Sequence, residues 1–236
     1  MAEVAPMTRQ ALRTPRAAGI AGIVFSVLLS ASLVLIRLAL LGTARQSGAW
    51  FADPWRRNAI FVALYLVPFA GIAFLWFIGV VRDRIGRHED RFFATVFLGS
   101  GLLFIAMLFV FAAVAGGMAA GAISGSAPSL STDMYTFSRE IVYQLMVIYS
   151  VRMAAVFMAV VATITLRTAI MPRWLAYLGY ALAVVLLLIV EHVAWVELAF
   201  PLWVFLASLS ILIADLRHRR RSLKESSTVG EGGDSP

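Results

Sequence analysis

The chain has 236 residues, 61% of them hydrophobic and 14% charged, with a formal net charge of +7 and no cysteine. A soluble domain is nearer half apolar and a quarter charged, so this composition excludes an ordinary soluble fold. The missing cysteines exclude disulfides, thiolate-held zinc, iron–sulfur clusters and a cysteine nucleophile.

Long apolar runs with few charges read as bilayer spans, because about 20 helical residues cross the hydrocarbon layer. Six such runs predict an all-α, polytopic integral membrane protein, a six-transmembrane-helix bundle with spans at 17–42, 59–81, 92–116, 141–166, 174–190 and 195–213. A basic tail at 1–16 precedes this 17–216 domain. The tail at 217–236 is polar and poor in apolar residues, and is expected to be disordered.

In chain order, the first run is too long for the apolar core of a signal peptide, and it is kept as a span. Arg37 stands in its later half, close enough to the end to reach the headgroups. The loop after it carries Trp50, Phe51 and Trp55, rings that suit the membrane interface. The second run contains Pro68 and Gly71; a proline inside a membrane helix frees a carbonyl and favours a kink. The third run ends in small residues, and Gly117 and Gly121 form a GxxxG that would let another helix approach closely. The same spacing also arises by chance in glycine-rich spans.

The stretch from Thr136 to Arg167 holds the fourth span and carries Arg152 near its midpoint. No other predicted span has a full charge so deep. A charge at a helix centre costs roughly 2.5–3.5 kcal/mol on insertion scales, so it must face protein, water or a partner. At 3.6 residues per turn, Glu140, Gln144 and Arg152 fall within about a third of the helix circumference. The last two runs are joined by a short apolar turn carrying Glu191, His192 and Glu197.

Basic residues set the orientation. The amino-terminal tail, the loop with Arg82, Arg84, Arg87 and Arg91, the loop with Arg167 and Arg173, and the carboxy-terminal cluster ending at Lys224 would all lie on one side. The other side holds Arg45, Arg56 and Arg57. Both termini are therefore expected in the cytoplasm. Arg37, Glu140, Gln144, Glu191 and His192 then fall in the outer half with Arg152 below them. One reading is an outward-facing polar cavity floored by Arg152, with His192 next to Glu191 able to relay protons. The other is a set of interfacial charges and one buried structural arginine. The basic balance reads as topology signal and contact with anionic lipid at the cytoplasmic face, not as nucleic-acid binding.

Motifs for chemistry are sparse. Haem in a helical bundle wants two facing histidines, and only His192 lies near a span. Glu191-His192 does not make an HExxH zinc site. The segment around Ser124 has a loose serine-protease look without a matching histidine. No cofactor and no metal site is expected.

The segment Phe77 to Met107 contains an RDRIG loop, the acidic pair Glu89-Asp90, and FFATVFLGSGLLF opening the third span. In these features it resembles a block found in uncharacterised bacterial membrane proteins, chiefly actinobacterial. That resemblance implies a bacterial inner-membrane location and no particular activity. Three functions then compete. The first is a small-solute or ion transporter using the Arg152 cavity. The second is a non-catalytic subunit or scaffold, homo-oligomeric or bound to a membrane partner through small-residue faces. The third is an embedded enzyme using Glu191 and His192.

Overall fold

The computed structural model describes residues 15–40, 54–85, 91–123, 132–168, 171–188 and 195–231. Among them all regular structure is helical: α1 (Pro15–Leu40), α2 (Pro54–Ile85), α3 (Arg91–Ile123), α4 (Thr132–Tyr143), α5 (Val151–Thr168), α6 (Arg173–Leu188) and α7 (Ala199–Glu231). A π-helical stretch, Gln144–Ser150, joins α4 to α5, and a 3-10 turn, Val196–Leu198, opens α7.

Five stretches are long and apolar enough to cross a membrane, the fourth being Phe137–Thr168. Helices apolar on every side belong in lipid or in a large core. The architecture is that of a multi-pass helical membrane protein. The fifth expected span, 174–190, corresponds to α6, whose 16 described residues reach about 24 Å, less than the other five. The tail also differs from expectation, because α7 continues to Glu231. A helix already nucleated by a span propagates cheaply through good helix formers such as Arg, Leu, Lys and Glu.

The first and last helices run antiparallel and are tied at both ends. At one end Arg16 Nε donates to Asp215 Oδ2 at 2.9 Å; at the other Arg37 Nη1 donates to Glu197 Oε1 at 2.5 Å. Between these ties the backbones come close at Gly22, where a Cβ would collide with Ser208 Oγ and lie 2.8 Å from a Phe77 ring carbon. Arg16 and Arg37 are 21 residues apart, about 32 Å of helix, which matches the hydrocarbon thickness of a bilayer.

The core between them is aromatic. Phe74 of α2 lies 4.4 Å from Phe25 of α1, 5.5 Å from Phe104 of α3, 5.2 Å from Phe157 of α5 and 5.7 Å from Phe200 of α7, centroid to centroid. Lipid removes most of the hydrophobic drive for helices to associate, so tilted and edge-on ring contacts of this kind supply the cohesion. Polar side chains tie the rest. Ser32 Oγ donates to the carbonyl of Ala63, one residue before the carbonyl that Pro68 deprives of its donor. Thr163 Oγ1 and Tyr180 Oη are 2.7 Å apart and join α5 to α6, and Trp203 Nε1 donates to the Leu175 carbonyl at 3.2 Å.

Candidate functional site

The Arg37 end of the bundle gathers the most unusual local chemistry among the described residues. Trp195 has φ 69°, the left-handed region, which costs a residue other than glycine about 1–2 kcal/mol. This conformation leads directly into the 3-10 turn, where Leu198 N donates to the Trp195 carbonyl at 3.0 Å. It brings the indole to Arg37, whose Cζ sits 4.6 Å from a Trp195 ring centroid, within cation–π range. It also turns the Glu197 side chain inward, 7% exposed, onto a guanidinium that is itself 20% exposed. A strained residue, a cation–π contact and a buried ion pair thus share one short turn.

Directly inside this cluster is a small cavity of about 20 Å³, room for roughly one water molecule. Glu197 borders it, together with Leu29 and Leu33 of α1, Leu108 of α3, Ser150, and Ala154 of α5. Ser150 closes the π-helical stretch, and its Oγ donates to the Leu145 carbonyl at 2.8 Å. π-Helical turns are uncommon and recur at functional positions. Here the widened turn contributes Met146 and Ser150 to the wall facing Glu197.

The expected site residues are distributed as follows. Glu140 and Gln144 meet, with Gln144 Nε2 donating to Glu140 Oε1 at 3.3 Å, on an exposed surface. Arg37 meets Glu197, not Arg152. Arg152 is half-buried, and its neighbours Val151 and Ala154 line the cavity while it does not. The helical wheel that put Arg152 on the side of Glu140 and Gln144 assumes 3.6 residues per turn; the π stretch between them takes more residues per turn and shifts that phase. Glu191, His192 and Ser124 lie outside the described residues. Among the described residues Gly117 has no neighbouring heavy atom within 4 Å of the position of a Cβ and makes no close helix contact, and the surroundings of Gly121 lie outside the described residues. Close packing falls instead on Gly22, on Gly71 against Phe109, on Gly101 against Ile78 and on Gly179 against Trp203. Among the described residues no group of three or more His, Asp or Glu side chains could hold a metal.

The sequence drew attention to both Arg37 and Glu197 but gave no way to pair them. The usable signal was depth: each stands at the same end of its span. Nothing in the sequence pointed to the left-handed Trp195 or the π-helical turn.

No protein-family model, curated protein or solved structure matches this chain. The class is therefore defined by the fold alone: a multi-pass helical membrane protein with a buried ion pair closing one end of its bundle.

Proposed function

We propose that the chain is a six-span bacterial inner-membrane protein, both termini cytoplasmic, that conducts a small ion or solute, with Arg37, Trp195 and Glu197 as its outer gate. One observation supports this reading: a buried carboxylate held by an arginine borders a small cavity that a π-helical turn also lines. Such a pair stabilises little by itself against apolar substitutes, so its retention at this position fits a switching role. The cavity has the size of one water, which corresponds to the closed state of a path. The polar outer half anticipated from the sequence is kept in this reading, but its organising pair is Arg37 and Glu197, with Arg152 at one side.

The test uses proteoliposomes with imposed sodium, potassium, chloride and proton gradients. The Arg37→Gln/Glu197→Gln double variant, which removes both charges and leaves neither stranded, is expected to dissipate at least one gradient about tenfold faster than the wild type, a barrier change of about 1.4 kcal/mol. Equal, background-level rates for both proteins against all four gradients would defeat the conduction reading.

The second reading is a non-catalytic subunit that assembles through α3. The open space at Gly117 favours it, since nothing among the described residues fills that surface. Gly117→Leu is then expected to leave the unfolding midpoint of the isolated chain within the range of a neutral surface change, about 0.5 kcal/mol, while abolishing any oligomer seen on gentle extraction. Unchanged assembly in Gly117→Leu would count against α3 as the contact.

A further inference from the structure

Arg152 poses a separate physical problem. It is half-buried, and among the described residues it has no ion-pair or hydrogen-bonding partner. Its depth can be read in two independent ways. Along its own helix it is 15 residues from Arg167, whose guanidinium rests 4.5 Å from the Phe93 ring centroid at the start of α3, so it stands about 22 Å above that end. Across the bundle, the flanking Val151 and Ala154 share a cavity with Leu29 and Leu33, which are 13 and 17 residues beyond Arg16, about 20 and 26 Å along α1. Both readings place Arg152 about 9 Å inside the Arg37–Glu197 plane.

Direction then matters. Helix side chains tilt toward the amino-terminal end of their helix, which for α5 is the Arg37–Glu197 end. A long arginine stem tilted that way would carry the guanidinium toward the headgroups. Tyr149, three residues earlier in the π-helical stretch and 55% exposed, adds a hydroxyl toward the amino-terminal end. The charge needs an acceptor from outside the described residues, and a phosphodiester is the acceptor that a surrounding lipid supplies. The second copy that a symmetric dimer would supply offers no exposed carboxylate at this level among the described residues; Glu140 is 12 residues, about 18 Å, away along the helix.

We propose that Arg152, with Tyr149 beside it, forms a binding site for the phosphodiester headgroup of a phospholipid in the leaflet at the Arg37–Glu197 end. A guanidinium presents a planar fork of donors that two phosphate oxygens can accept together. The site is independent of the gate, and it stands whether or not the protein conducts.

The experiment is native mass spectrometry of the full chain released from nanodiscs of phosphatidylglycerol and phosphatidylcholine. The wild type is expected to keep one tightly held phospholipid. Arg152→Leu, which suits a membrane helix at least as well as arginine, is expected to lose about tenfold in the one-lipid species, the effect of one charge-assisted contact. Arg152→Lys is expected to recover part of it, and Tyr149→Phe to weaken it less than Arg152→Leu. Equal lipid retention in wild type and Arg152→Leu would overturn the proposal. So would displacement of the lipid by millimolar inorganic phosphate, which would make this a site for a soluble anion. Co-purification of a membrane protein whose retention requires Arg152 would overturn it too, by assigning the arginine to a protein partner. A retained lipid in wild type that disappears in Glu191→Gln but persists in Arg152→Leu would do the same.

Discussion

Replacing Arg37 alone with Gln is expected to lower the stability of the purified protein by about 3 kcal/mol, while the Arg37→Gln/Glu197→Gln double variant recovers most of that loss. The reasoning is electrostatic. Glu197 is almost fully enclosed and its Oε1 is held by Arg37. Removing one partner of a buried pair strands a charge in a low-dielectric setting, a cost of about 3–5 kcal/mol, whereas removing both leaves none. The lower figure applies because the Arg37 side chain remains 20% exposed. Unfolding in a mild detergent, followed by loss of helical signal, measures all three proteins. A double variant as unstable as the sum of the two singles would mean that the two groups do not act as a pair.

Gly22→Val is expected to be at least as damaging, about 3 kcal/mol, and not to be rescued by a charge change. A side chain at position 22 meets Ser208 Oγ and the Phe77 ring at once, so α1 must move away from both α7 and α2. Separating α1 from α7 stretches the ion pairs at both ends of the contact, and overpacking of a rigid interior costs about 1–3 kcal/mol before such secondary losses. Gly79→Val is the matched control. A Cβ there meets nothing within 4 Å, and its effect is expected to stay near the 0.5 kcal/mol typical of surface changes. Similar midpoints for the two valine variants would refute the close α1–α7 crossing.

Much of this fold was legible in the sequence because the bilayer makes a simple demand. A long apolar run has to be a helix, and this chain has several, so helical class and approximate spans followed from composition and length. The exceptions are instructive. The run at 174–190 was read as a span on hydrophobicity, and α6 is described from Arg173 to Leu188, an apolar helix shorter than the other five. Arg152 stands near the midpoint of the candidate span Phe137–Thr168, as its place in the sequence indicated, but the π-helical turn before it sets which way it faces. GxxxG spacing selected Gly117, while the structure packs Gly22, Gly71, Gly101 and Gly179 tightly. Spacing along one helix says nothing about which face a neighbour occupies. The pairing of Arg37 with Glu197 spans 160 positions of the chain and depends on α7 returning beside α1, information that no local pattern holds.

The central claim is that Arg37 and Glu197 close an outward path to the cavity behind them, and the absence of native cysteine allows a direct check. Single substitutions Glu140→Cys and Ser150→Cys would be made with and without the Arg37→Gln/Glu197→Gln pair, and intact cells treated with a membrane-impermeant thiol reagent. Glu140 is exposed and Ser150 is 2% exposed behind the gate. The expected result is labelling of Glu140→Cys in both backgrounds, and labelling of Ser150→Cys only when the pair is removed. Labelling of Ser150→Cys that is the same with and without the pair, whether present or absent, would contradict the gate.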